Sequence, residues 1–271
     1  MKNSVLNLYI FGVILGLKSI FILKKLNRRI LEMLITPIRY WRAVETPLVL
    51  EFLSPKKDQK ILDIGSPKLL SLYIAKKFKA KIISSDIHNY FTNYCIDFSK
   101  VLGTNKNYHT KIIDARKIKL NNNSLDKVYS LSVFEHIPGN GDIRAVKEVR
   151  RILKKEGILI LTLPFGAKFQ IEFRNPKNFY YSLDNSKQNK KKVFYQRIYD
   201  EKELLRRIIK PSNMKVISKT YVTQKFNLPI GIYLSLLGPL NIMLSKVNHI
   251  KLSENNNTIT KKSIVHLVLK K

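Results

Sequence analysis

The sequence predicts a doubly wound α/β fold, in which a mostly parallel sheet of seven strands carries helices on both faces. From Lys60 to Phe165, short apolar runs alternate with amphipathic segments, as expected when strands and helices follow one another. Acidic residues follow the ends of several of the apolar runs. The 271 residues are 45% hydrophobic, enough to bury a substantial core.

The elements follow in chain order. Predicted strands one to five are 60–65, 80–86, 108–114, 125–134 and 157–165, with helices at 67–78, 88–100 and 142–153 between them. Leu70, Ile74 and Phe78 share one face of the first of these helices, and its lysines lie elsewhere. Asp142 or Asn140 is suited to cap the third.

The pattern is looser after residue 165. Residues 166–199 form a polar, lysine-rich insertion that we expect to be a mobile loop around Asn185 to Lys192. Asp200 is placed to cap a helix over 201–210, and strands six and seven are predicted at 214–222 and 263–271. The segment from Phe226 to Ser245 has no charge but contains two prolines and two glycines, which predicts a flap, a membrane-dipping element or a second core layer.

Residues 1–53 are predicted to be a hydrophobic, helical extension ahead of a domain at 54–271, which has insertions at 166–199 and 222–262. Val5 to Leu23 is almost wholly apolar and basic residues follow it. Because it carries Asn7, Lys18 and Ser19 it is a marginal membrane span, so it either contacts a membrane or packs on the domain. Pro37 and Pro47 are predicted to break the helical pattern that follows.

Charge and composition exclude some classes of protein. The single Cys95 rules out an intrachain disulfide framework and a cysteine zinc site, and the five histidines show no metal-binding spacing. The net charge of +31 attracts anions, but it is lysine-rich and spread along the chain, so nucleic acid is the less favoured partner. We expect a reducing, cytoplasmic location. Association with the cytoplasmic face of a membrane is an alternative that the sequence leaves open.

Acidic residues stand at the predicted carboxyl ends of successive strands. Asp63 and Gly65 end strand one, Asp86 ends strand two and Asp114 ends strand three. Glu135 and His136 follow strand four. Ligands of open parallel sheets bind at this edge, and Asp86 has the spacing from strand one of an acid that binds a ribose. An acid on strand one disfavours a pyrophosphate and favours a cationic ligand.

These blocks are ILDIGSPKLL, IISSDIH, IIDARKIKLNNNSLDKVYSLSVFEHIP and AVKEVRRILKKEGILILTLPFG. In order and spacing they resemble the motifs of class I S-adenosylmethionine-dependent methyltransferases, which have a Rossmann-like fold. The resemblance covers residues 40–221 and the last strand. It implies S-adenosyl-L-methionine as cofactor and a small-molecule acceptor. The apolar segments Val5–Leu23 and Phe226–Ser245 add the alternatives of a lipid acceptor and of membrane contact.

The resemblance also implies roles for individual residues. Those matching the family's cofactor-binding positions are Asp63, Gly65 and Ser66 in the first motif, Asp86 for the ribose, Ile87 and Ala115 beside the adenine, Asp114 for its amino group, and Leu131 and Ser132 under the methionine part. Glu135 and His136 are the candidates for proton chemistry, because they follow strand four where an acceptor would approach. No metal ligand is implied.

One position departs from the family pattern. The second glycine of the first motif is Pro67 here, and proline removes a backbone donor while suiting the start of a helix. Each acid also has a structural alternative. Asp63 and Asp86 could cap turns, Asp114 could pair with Arg116 or Lys117, and His136 could bind backbone near Pro138.

The sequence thus favours a methyltransferase for a small, possibly lipophilic acceptor. An RNA methyltransferase is an alternative suggested by the net charge, although no base-recognition motif or separate basic module is present. A non-catalytic binding protein is the alternative suggested by Pro67. An NAD-dependent dehydrogenase is disfavoured, because the glycine motif for a pyrophosphate is absent.

Overall fold

The computed structural model describes residues 4–175, 191–227, 238–252 and 263–271. The nine helices and ten strands of these ranges alternate in the central part of the chain. They are α1 (Ser4–Leu23), α2 (Arg28–Ile35), α3 (Tyr40–Leu53), β1 (Lys60–Ile64), α4 (Lys68–Phe78), β2 (Lys81–Asp86), α5 (Tyr90–Val101), β3 (Tyr108–Ile112), β4 (Leu125–Leu131), α6 (Gly141–Ile152), β5 (Leu153–Phe165), β6 (Gln170–Arg174), β7 (Val193–Ile198), α7 (Glu201–Leu204), α8 (Lys210–Ser212), β8 (Lys215–Gln224), α9 (Gly238–Val247), β9 (His249–Leu252) and β10 (Ser263–Lys270).

The central sheet has the order β3-β2-β1-β4-β5-β10-β8-β9. Strands β1 to β5 pair in parallel, whereas β10 is antiparallel to both β5 and β8. The order reverses beside β1, so the carboxyl ends of β1 and β4 flank the crevice where ligands of such sheets bind. The predicted α/β class is confirmed, and β9 adds an eighth strand at the edge because it pairs with β8.

Two apolar layers cover the sheet. On one face, α1, α4 and α5 pack against β1 and β2 through residues such as Leu15, Leu70 and Phe98. On the other face, α6 and the helical segment after residue 200 bury Val149 and Leu204. The first three helices therefore share a core with the sheet, which fixes the position of α3 beside the ends of β4 and β5.

Several local predictions need correction. Pro47 does not break a helix, since α3 runs through it. Asn140 occupies the N-cap of α6 without a side-chain bond, and Asp142 is buried against Arg207 instead of capping. Asp200 does cap its helix, because its carboxylate accepts a hydrogen bond from Glu203 N.

The two insertions contain ordered elements. The arms of the segment 166–199 form an antiparallel ribbon of β6 and β7, where a loop was predicted. Residues 185–190 of that predicted loop lie outside the described residues. Of the apolar segment 226–245, residues 228–237 also lie outside them, and the part from Gly238 onward begins α9.

Candidate active site

The turn from β1 to α4 is built around Gly65. Its φ of +65° lies in the left-handed region, and a Cβ there would come within 3.0 Å of Val133 Cγ1. Glycine is therefore required both by the backbone and by the neighbouring side chain. Ser66 ties this turn to the end of β4, because Leu131 N donates to Ser66 Oγ at 3.0 Å. Pro67 is the N-cap of α4.

Asp63 is fully buried and its carboxylate is held by groups of this chain. It accepts hydrogen bonds from Ser66 N and from Ser84 Oγ, each at 3.0 Å. Burial raises the pKa of Asp63, while the nearby Lys68 and the hydrogen bonds from Ser66 and Ser84 lower it. Asp63 therefore shapes the turn, which agrees with the turn-capping alternative and adds an ion pair to it.

The cation of that ion pair, Lys68, was not among the predicted site residues. Its ammonium donates to Ser85 O at 2.7 Å and to Asp63 Oδ2 at 3.4 Å, and it lies 3.9 Å from Asp86 Oδ2. Although lysines usually lie on the solvent face of such a helix, the Lys68 side chain is only 3% exposed. A lysine in the first turn of a helix that follows a strand-end acid is the signal that could have identified it.

Asp86 and Ile87 form the open part of this edge. The Asp86 side chain is 14% exposed, and its Oδ1 accepts from His88 N at 3.2 Å, which leaves capacity on Oδ2 for further donors. Ile87 follows it with 53% of its surface exposed. A carboxylate beside an exposed apolar side chain is suited to hydroxyl groups attached to a flat, apolar ring.

Asp114 is paired with Arg116, as the structural alternative predicted. Arg116 Nε and Nη2 donate to the two carboxylate oxygens at 2.7 to 3.0 Å. These bonds from Arg116 lower the pKa of Asp114. The carboxylate remains about one third exposed, whereas Ala115 is buried. Asp114 thus lies at the end of β3 with its charge largely committed to Arg116.

The carboxyl end of β4 meets two charged residues of α3 that were not predicted. Arg42 Nη1 donates to Leu131 O at 3.1 Å and also pairs with Glu45. Glu45 is buried and accepts hydrogen bonds from Ser132 Oγ and from Thr162 Oγ1. Ser132 has a φ of +50°. The signal for this pair was opposite charges at i and i+3 within a mostly apolar helix.

Glu135 is buried in a different way. Both of its carboxylate oxygens lack a hydrogen-bond partner among the described residues. Burial and the nearby charge of Glu45 raise the pKa of Glu135 well above its usual range. Since an unpaired buried charge is strongly disfavoured, the protonated carboxyl is the stable form here.

His136 is oriented by the ribbon formed by β6 and β7. Its Nδ1 lies 2.7 Å from Tyr195 O, not near Pro138 backbone, and a carbonyl only accepts, so Nδ1 carries the proton in the neutral ring. Nε2 then has a free lone pair and lies 3.7 Å from Glu135 Oε1. Burial lowers the pKa of His136, and the charges of Arg42 and Arg174 act in the same direction. The ring is thus a neutral base at neutral pH.

The described residues bring two groups of predicted site residues to one edge of the sheet. Asp63 and Asp86 lie at the carboxyl ends of β1 and β2, and Gly65 and Asp114 lie in the turns after β1 and β3. The second group, at the end of β4 and in the turn after it, consists of Leu131, Ser132, Glu135 and His136. Arg42 connects the last residue of β4 with the turn after it. Its guanidinium contacts Leu131 O, and its charge lowers the pKa values of Glu135 and His136.

Residues 62–161 match the protein family described as "Methyltransferase domain". The matched range begins in β1, ends in β5 and contains all the strand-end residues considered above. No curated protein matches the chain.

Solved structures share the fold. The chain is similar to the [4+2]-cyclase SpnF, with a TM-score of 0.61 and 16% identity over 85% of this chain and 80% of that one. It is similar to geranyl diphosphate C-methyltransferase from Streptomyces coelicolor A3(2), with a TM-score of 0.54 and 10% identity over 84% and 77% of the two chains. Coclaurine N-methyltransferase gives 0.57 and 14% over 85% and 71%.

Proposed function

Since the chain carries a class I S-adenosylmethionine-dependent methyltransferase domain, we propose that it transfers the methyl group of S-adenosyl-L-methionine to a small-molecule acceptor. The observation that carries the proposal is the open pair Asp86 and Ile87 at the end of β2, beside the Gly65 turn and within the matched domain. A carboxylate for ribose hydroxyls and an exposed apolar side chain for adenine are adjacent there.

The nucleoside part of the cofactor fits the residues present. Asp86 would accept the two ribose hydroxyls, and Ile87 would lie against the adenine ring. Asp114 keeps about one third of its side chain exposed and would accept from the adenine amino group on lone pairs that Arg116 leaves free. Gly65, whose missing side chain lets backbone and ligand approach, would lie beside the sugar.

The methionine part would meet two cations of this chain. Asp63 is fully buried and paired with Lys68, so it is not accessible to an ammonium group. The Arg42 side chain is 33% exposed and bonds Glu45 and Leu131 O through Nη1, so its Nε and Nη2 would donate to a carboxylate. We therefore assign the cofactor carboxylate to Arg42, since a guanidinium binds such a group in bidentate geometry.

The bound cofactor supplies an activated methyl group on a sulfonium. The chain then has to exclude water, align the acceptor and remove a proton where the acceptor carries one. His136 is suited to the last step, because its Nδ1–H bond to Tyr195 O leaves Nε2 ready to accept a proton. Glu135, protonated and buried behind it, would keep the ring from being held as an ion pair.

A small acceptor is supported by two of the similar structures, which contain geranyl diphosphate and N-methylheliamine. Both are small organic molecules, and one carries a long apolar chain. The exposed apolar side chains of α1 and the uncharged sequence from Phe226 to Ser245 favour a lipophilic acceptor for this chain as well. The neutral His136 would face its polar end.

The test uses the purified chain and S-adenosyl-L-methionine labelled in the methyl group. Incubated with a cell extract, the protein should place label in material that partitions into organic solvent, and His136→Gln should transfer it at least about tenfold more slowly. Label in nuclease-sensitive material would instead support the RNA methyltransferase. Binding of cofactor without any label transfer would support a binding protein or another reaction on the same fold.

A further inference from the structure

Helix α1 has two opposite apolar faces. One face holds six buried residues, Val5, Leu8, Gly12, Leu15, Gly16 and Ser19. The other holds Leu6, Ile10, Ile14, Leu17 and Phe21, which are spaced three or four residues apart and are 42 to 78% exposed. The exposed face has no covering element among the described residues, and an apolar face of this length marks an interaction surface.

The buried face holds α1 tightly on the domain. A Cβ at Gly12 would lie 2.4 Å from Pro37 Cβ, and one at Gly16 would lie 2.9 Å from Leu34 Cδ2. The two glycines therefore let the backbone of α1 approach its neighbours more closely than any side chain would permit. Helix α1 also contacts α9, because Tyr9 packs on Gly238 at the start of that helix. This close packing places α1 in the core of the folded chain.

By length and composition alone, α1 is able to cross a membrane, with a mean hydropathy of 2.0 over its most apolar window. A spanning helix would have to expose its glycine face to lipid and lose Leu8 and Leu15 from the core. The fold keeps that face occupied. The geometry therefore suits a helix that lies along a membrane surface, with only the Leu6 to Phe21 face entering it.

The charges around α1 indicate which surface it would meet. Lys18 lies on the helix, and Lys24 and Arg28 follow its end, all of them exposed. Lys18 and Lys24 have no ion pair with any described residue, and the whole chain carries +31. A second copy of this chain would be repelled by that charge, whereas an anionic lipid surface would be attracted.

We propose that the Leu6–Ile10–Ile14–Leu17–Phe21 face of α1 docks the protein on anionic membranes, with the helix lying in the interface and its glycine face still packed on the domain. The apolar side chains would reach about 5 to 10 Å into the boundary between head groups and acyl chains. This inference goes beyond methyl transfer and does not depend on it.

The experiment measures binding of the full chain to vesicles of phosphatidylcholine with about one quarter phosphatidylglycerol. We expect Ile10→Ser/Ile14→Ser/Leu17→Ser to weaken binding at least about tenfold. The matched control is Ile171→Ser/Val216→Ser/Ile217→Ser, which changes equally apolar and similarly exposed residues of β6 and β8 and should leave binding unchanged. All six positions are solvent-exposed, so folding, checked by thermal melting, should be retained.

Further measurements distinguish a membrane from a second copy of the chain as the partner of α1, and an interfacial helix from a spanning one. Lys18→Gln and Lys24→Gln should each weaken binding about fivefold, and pure phosphatidylcholine should bind poorly. Protein bound to vesicles should be released by carbonate at high pH, as an interfacial helix is. The proposal is wrong if the chain ignores anionic vesicles, if the α1 triple variant binds as before, if carbonate fails to release the protein, or if the α1 face instead forms a dimer seen by light scattering.

Discussion

Asp63 and Asp142 are both fully buried carboxylates, yet their surroundings differ. Asp142 accepts from Arg207 Nε and Nη2 and from Tyr199 OH, all at 2.7 to 2.8 Å, and Arg197 lies close by. Asp63 has one cation, Lys68, which is shared with the partly exposed Asp86. The Asp142 cluster is closed on itself, whereas the Asp63 cluster opens at Asp86 toward solvent.

The difference separates the structural role of Asp142 from the binding role proposed for Asp86. At Asp142, buried arginine and tyrosine donors join α6 to β7 and to the helical segment after residue 200, and little capacity remains for a ligand. At Asp63, the buried pair fixes a turn, while Asp86 and Ile87 remain accessible beside it. Burial and charge alone therefore do not identify an acid that binds a ligand. A neighbouring carboxylate that is accessible and still has free acceptor capacity is the better indication.

The largest expected effect comes from breaking the closed cluster. Arg207→Leu would leave Asp142 buried with fewer partners and should lower the free energy of unfolding by about 3 to 5 kcal/mol. Urea denaturation measures this. The adjacent Arg206→Leu removes an exposed partner of Glu203 and should change little. Equal losses in the two variants would show that the Asp142 cluster is not a structural centre.

The open cluster should respond in binding. Asp86→Ala removes the acceptor proposed for both ribose hydroxyls and should cost about 3 kcal/mol of S-adenosyl-L-methionine affinity, more than about a hundredfold. Isothermal titration calorimetry measures it, with Asp97→Ala, an exposed acid paired to Lys25, as the control. An unchanged affinity in Asp86→Ala would show that Asp86 does not bind the cofactor. The Asp63 cluster would then have no binding role to set against the structural role of the Asp142 cluster.

Lys68→Met tests the shared cation. The pKa of Asp63 is raised by burial and held down by Lys68, so removing the ammonium should raise that pKa further. In the variant the ionised Asp63 has no cation and disfavours folding, so the free energy of unfolding should fall by about 2 kcal/mol at pH 7.5. This loss should shrink as the pH falls, because Asp63 then becomes protonated.

Urea denaturation of the Lys68→Met variant at pH 5 and pH 7.5 provides the comparison. Lys81→Met, which changes an exposed lysine on β2 paired with Asp58, is the matched control and should show no such dependence. A loss that stays constant with pH would mean that Lys68 stabilises the turn by packing and not by its charge on Asp63.

Glu135 extends the comparison to a buried acid whose carboxylate oxygens have no hydrogen-bond partner among the described residues. Its raised pKa means that the folded state holds a proton that the unfolded state releases above about pH 4.5, so stability falls as pH rises through this window. Glu135→Gln should remove that fall, and its advantage over the wild type should grow by about 1 kcal/mol per pH unit. Thermal melts from pH 5 to pH 7 measure it, and a constant difference would contradict the assignment.

Much of the fold could be predicted because it depends on local patterns. The alternating apolar and amphipathic segments from Lys60 to Phe165 predicted β1 to β5 and their helices in the right order. The positions of Gly65 and Asp86 at strand ends were also predicted, because backbone geometry and acid spacing are visible in the chain. The prediction that Pro47 breaks a helix was wrong, because buried residues of α3 before and after the proline pack in the core and stabilise the helix there.

Other site residues depend on contacts between distant segments. Arg42 and Glu45 reach Leu131 and Ser132 across nearly ninety residues of chain, so no local pattern places them at the end of β4. The ribbon of β6 and β7, which orients His136 through Tyr195, was also missed because its two short strands lie within an insertion that is polar and rich in lysine as a whole. The orientation of His136 could therefore not be predicted from its position after β4.

The α/β class, the strand-end acids and an apolar N-terminal segment can be predicted from the amino-acid order, since periodicity, glycine and charge act over a few residues. Which acids are enclosed and which are open depends on how distant segments pack together. The same packing leaves α1 with one packed and one exposed face. Burial and pairing arise when distant segments meet, and they decide whether a carboxylate or an apolar side chain is left for a ligand or a partner.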